Sequence, residues 1–179
     1  MSANEACPGC RALLPVSAAP THPYIGASGA CWDLFSNLFN GNEPPLAPGP
    51  YNGLLIDAYA TQHPGVPSNQ ATQSVAVHLL ALYGVFEAGV GPENALWVRQ
   101  RALQFGRNEA RHERYVWLTP PDFAGSITIL EIVELPTAEQ RTARVNDYVA
   151  SVWSLWAERE LATLAKWYAQ FVTKMHTIG

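Results

Sequence analysis

The chain has 179 residues, 48% hydrophobic and only 15% charged, with a net charge of −4 and a sequence pI near 5.7. That length suits one domain, residues 1–179, able to bury most of its apolar surface. The acidic balance argues against nucleic acid as a partner, and no run approaches the roughly 18 apolar residues of a membrane span.

The first residues, Met1 to Cys7, lack the basic and apolar regions of a signal peptide, so a cytoplasmic location is expected. Three cysteines in a reducing compartment favour a metal or free thiols over disulfides. Residues 1–30 read as irregular, because Pro8, Pro15, Pro20 and Pro23 interrupt any long helix. Gly29 to Phe39 reads as a short helix with Trp32, Phe35 and Leu38 at helical spacing, and 41–50 as a loop.

A second helix is predicted from Tyr51 to Gln62, stopped by His63-Pro64-Gly65. Ser68 or Asn69 caps a third, running to about Gly89, and the two form an antiparallel hairpin. Gly91-Pro92-Glu93 opens a fourth, to about Gln104. One short strand is expected within 106–125. Ile127, Ile129, Ile132 and Val133 suit a strand, but Thr128 with Glu131 forms a capping box, which favours a short helix. Thr137 with Gln140 starts the last helix, whose apolar stripe continues to Phe171, with a bend expected near 157–160. The fold class is therefore mainly α: a helical bundle with an irregular N-terminal knuckle segment and a long C-terminal helix. Six Trp and seven Tyr are many for this length, so some rings are expected at a pocket or a subunit interface.

Cys7-Pro8-Gly9-Cys10 is the strongest chemical signal. Two thiolates two residues apart across a glycine-containing turn can bind one metal ion, and zinc favours such soft ligands. A redox dithiol would need a strand before it and a helix after it. One Cys-x-x-Cys supplies half of a tetrahedral site, so partners must come from elsewhere. His63, at the mouth of the hairpin, and His78, on its far arm, are the expected ligands beside Cys7 and Cys10. Asp57, about one helical turn from the level of His78, either orients a metal-bound imidazole or joins it as a ligand, while the plainer alternative makes His63 a helix cap and His78 a satisfied core histidine. Cys31 is either a third thiolate or a buried free cysteine. His22 precedes a proline and reads as a local cap, while His112 and His176 carry no assignment. Arg99, Arg101, Arg107, Arg111 and Arg114 either grip an anion or, with Glu109 and Glu113 interleaved, form a solvated face.

Several motifs then occur in order: Cys7 to Cys10, His22 to Ser28 with Cys31-Trp32, Asp57 to Gly65, and Gln73 to Leu79. Together they resemble an uncharacterised bacterial family, a domain of unknown function, over nearly the whole chain. The resemblance implies a bacterial protein and brings no activity. Relatives of that kind carry adjacent histidines in the last helix, where this chain has Ala157-Glu158-Arg159-Glu160. That puts a shared catalytic role in doubt, and Glu158 or Glu160 is the available substitute ligand.

The sequence alone thus points to a small zinc protein with a structural Cys/His site and a binding or assembly role. The alternative is a metal-dependent, hydrolase-like enzyme using Asp57, His63 or His78 beside an open metal position. A homo-oligomer, a protein partner and a small-molecule substrate all stay open.

Overall fold

A computed structural model describes residues 3–42, 44–106 and 115–173. Most helices begin where the sequence supplies a cap. Ser28 accepts a hydrogen bond from Cys31 N–H to start α1 (Gly29–Phe39), and Ser68 accepts from Ala71 N–H to start α3 (Asn69–Phe86). Between them α2 (Leu55–Gln62) grows out of a 3₁₀ turn at Asn52–Leu54. A proline-initiated 3₁₀ turn at Pro92–Asn94 likewise leads into α4 (Ala95–Gly106).

The capping box at Thr128 and Glu131 decides the ambiguous isoleucine-rich segment. Both of its reciprocal bonds form, and the segment is the helix α5 (Ile129–Val133). Thr137 caps α6 (Ala138–Tyr168), which is helical throughout 157–160 and ends in a π-turn at Ala169–Thr173.

Helix α3 lies at the centre, packed against α2, α4 and α6. This placement explains its near-continuous buried run from Val75 to Leu82, broken only at His78. Trp153, Trp156 and Trp167 of α6 are buried in the same core, while Trp97 on α4 is half exposed. No helix among the described residues is long and apolar enough to cross a membrane.

Two features differ from the sequence reading. The N-terminal segment contains an antiparallel hairpin, β1 (Asn4–Ala6) with β2 (Leu13–Pro15), paired Asn4 to Pro15 and Ala6 to Leu13. Three-residue strands are too short to show a period of two. The strand expected within 106–125 is not found in residues 115–125, and residues 107–114 lie outside those described.

Candidate metal centre

The knuckle Cys7-Pro8-Gly9-Cys10 is the turn of that hairpin. Cys7 N–H donates to the Ala12 carbonyl at 2.8 Å and Arg11 N–H to the Cys7 carbonyl at 3.0 Å, which folds the turn tightly. Arg11 closes it with φ of 66°, a left-handed conformation that a non-glycine residue seldom adopts. A strand does precede Cys7, but the chain returns into a second strand rather than a helix. The helix-start setting of a redox dithiol is therefore missing.

Three elements bring donors to one point. Cys7 and Cys10 come from the hairpin, Cys31 from the first turn of α1, and His63 from the C-terminal end of α2. Their ligand atoms all lie within 4.8 Å of one another, and all four residues are buried. Cys10 Sγ is 3.9 Å from Cys31 Sγ, which is 3.5 Å from His63 Nε2.

The histidine is held for this purpose. Its Nδ1 lies 2.9 Å from the Tyr59 carbonyl, which can only accept, so the proton sits on Nδ1 and the Nε2 lone pair faces the sulfurs. The ring stacks on Tyr59 at 4.0 Å. Gly9 lies against the other side, where an added Cβ would stand 2.3 Å from His63 Cδ2. Outer bonds orient the sulfurs as well: Ser28 N–H to Cys7 Sγ and the Tyr59 hydroxyl to Cys31 Sγ, each 3.5 Å.

The three thiols shift one another's titration in opposite directions. Hydrogen bonds from Cys10 and then Cys31, stronger together than the cost of burial, hold the Cys7 thiol far below its ordinary range. For Cys10 the bond with Cys31 lowers the pKa, but the bond to Cys7, burial and the Cys7 charge carry it up to about 11. Bonds to Cys10 and Cys7, then burial, push Cys31 far up. Thiolates crowded this closely in a buried site repel one another, and a cation among them would offset that repulsion. The arrangement is a buried Cys₃His set able to hold a metal ion.

Residues 5–157 match DUF5946, a family of unknown function. The chain belongs to that family. No curated protein and no solved structure matches. The family match spans all four converging residues, and the family's function is unknown.

Of the residues expected as ligands, the structure brings together Cys7, Cys10 and His63, and Cys31 takes the fourth place. His78 does not join them: its Nδ1 donates to Asp57 Oδ1 at 2.8 Å. His22 packs edge-on to Tyr24 instead. Glu158 is exposed, and neither it nor Glu160 belongs to the cluster. Arg99, read from sequence as either part of an anion grip or part of a solvated face, turns inward to Asp57 Oδ2 at 2.5 Å, a partner sequence reasoning did not name. Arg107, Glu109, Arg111, His112, Glu113, Arg114 and His176 lie outside the described residues. Gln62, noted for its place beside His63, is wholly buried. Its amide donates to the Ser126 hydroxyl and the Ile127 carbonyl and accepts from the Tyr148 hydroxyl, tying α2 to α5 and α6.

Proposed function

We propose that this is a zinc-binding helical protein whose Cys7, Cys10, Cys31 and His63 site is structural, fastening the N-terminal hairpin to the helices. The folded molecule then acts by binding a partner or by assembly. The observation that carries this reading is the convergence of four soft donors with the Nε2 lone pair of His63 among them.

Tetrahedral zinc, with Zn–S of about 2.3 Å and Zn–N of about 2.0–2.1 Å, places its sulfurs about 3.8 Å apart and sulfur and nitrogen about 3.6 Å apart. The separations of 3.9 Å and 3.5 Å match both values. Four protein donors make a closed site, whereas catalytic zinc keeps one position for water. Cys31 as a fourth donor and the engagement of His78 by Asp57 therefore favour the structural reading over a metal-activated water.

The test is elemental analysis of protein purified without added metal. One zinc per chain, lost in Cys7→Ser and Cys31→Ser and kept in His78→Ala, is the expected result. A metal-free wild type that also takes up no added zinc would overturn the proposal.

A further inference from the structure

A second polar site lies apart from the metal centre, in a cleft between α3 and α4. Asp57 of α2 is completely buried behind it, and each carboxylate oxygen accepts one hydrogen bond. Oδ1 takes His78 Nδ1–H at 2.8 Å, and Oδ2 takes Arg99 at 2.5 Å. His78 and Arg99 are 17% and 18% exposed, and both line a cleft of about 330 Å³.

With Nδ1 committed to Asp57, Nε2 is the ring nitrogen left to the cleft, and among the described residues no protein group bonds to it. Arg99 has further N–H donors beyond the one spent on Asp57. The remaining wall includes Tyr24, Gln73, Ser74 and Gln100, and none of the residues lining the cleft is a carboxylate.

A buried ion pair is a weak way to gain stability, since apolar packing between the same helices does as well or better. What this one does is hold an imidazole and a guanidinium in fixed orientations at a cleft wall. We propose that the cleft binds a small molecule through an oxyanion, a carboxylate or a phosphate, held by Arg99 beside the Nε2 edge of His78, with Asp57 positioning both side chains.

Asp57 is met by Arg99 and His78 from behind, which leaves the outward N–H donors of Arg99 for the oxyanion of the ligand. The amides of Gln73 and Gln100 and the hydroxyls of Ser74 and Tyr24 serve the neutral remainder of the ligand. The cleft volume falls at the small end of ligand pockets, which suits a metabolite rather than a peptide. Tyr24 comes from the segment between Cys10 and Cys31, so the metal centre steadies one wall, while Arg99 and His78 stand on helices of the core.

The test follows the His78 ring signals by NMR in the full chain, titrated with inorganic phosphate and separately with succinate at constant ionic strength. A saturable shift with either probe is expected, with affinity falling about tenfold or more in Arg99→Gln. Response to phosphate alone assigns a phosphate ligand, and response to succinate alone a carboxylate. Should Arg99→Gln not fold, Arg99→Lys keeps the charge without the planar fork and is expected to show the same loss. No saturable shift with either probe, or equal affinity in the arginine variant, overturns the proposal. Zinc content measured on the same samples registers the metal reading separately.

Discussion

Nε2 of His63 stands 3.5 Å from Sγ of Cys31, across 32 residues of sequence. Closing that distance fastens the end of α2 to the start of α1. The hairpin thiols Cys7 and Cys10 complete a point where three segments meet. Leu14 of β2 is also buried in the core, and the rest of the hairpin's order is expected to depend on this point.

Removing the metal should therefore loosen the N-terminal third more than the core. With a strong chelator, residues 7–28 are expected to lose amide-exchange protection and become cleavable by protease, while α3 and α6 stay protected. Loss of about 3 kcal/mol would lower Tm by about 6–12 °C in a chain of this size. Hydrogen exchange with and without chelator checks the location, and a thermal melt checks the magnitude.

Gly9 and Gly65 make different demands. A methyl group at Gly9 would meet His63 Cδ2 at 2.3 Å and the Gln62 carbonyl at 2.9 Å, so Gly9→Ala must displace a ligand ring. Its zinc affinity is expected to fall about 10- to 100-fold, read by competition with a chromophoric chelator. Gly65 has φ of +72° and lies against the Tyr24 carbonyl, locking the 63–65 turn to the 24–26 loop. Gly65→Ala is expected to cost about 1–3 kcal/mol of stability by denaturant unfolding.

Gln62 shares the turn with His63 yet serves the core. Gln62→Leu leaves the Tyr148 hydroxyl and the Ile127 carbonyl buried without their partner. The expected loss is about 2–4 kcal/mol with the zinc content unchanged, checked by chemical denaturation and elemental analysis together.

Acid stability should register Glu131. Burial raises its pKa, but the Arg144 hydrogen bond and those with Thr128 outweigh burial and hold the carboxyl below its ordinary range. A carboxyl depressed in the folded state stabilises above its unfolded pKa of about 4.3, and that contribution fades as pH falls through the folded value. Glu131 is well exposed, so the effect is at most about 1 kcal/mol. Glu131→Gln is expected to be slightly less stable than wild type at pH 7 and equal to it at pH 3, by paired thermal melts.

Much of the fold was legible because caps are local. Ser68, Thr128 and Thr137 each announce a helix within four residues, and each does so in the structure. The nearness of Asp57 to His78 was legible too, since a turn between them brings those positions to within about one helical turn on facing helices, although the pair lies apart from the metal centre. Cys31 was not decidable in the same way. A single cysteine at a helix start has no spacing to interpret, and only the docking of α1 beside α2 brings it to His63. Arg99 was hidden for a similar reason: arginines among glutamates look solvated until packing turns one toward a buried carboxylate. The hairpin strands were too short for any periodicity to announce them.

X-ray absorption at the zinc edge, on protein that has taken up one zinc per chain, tests the central claim most directly. Three sulfurs at about 2.3 Å and one nitrogen at about 2.0–2.1 Å are expected, and Cys31→Ser, which loses its zinc on purification, is expected to show two sulfurs when reloaded with excess zinc. A wild-type spectrum fitted by two sulfurs with two nitrogen or oxygen donors, unchanged in Cys31→Ser, would contradict the closed Cys₃His site.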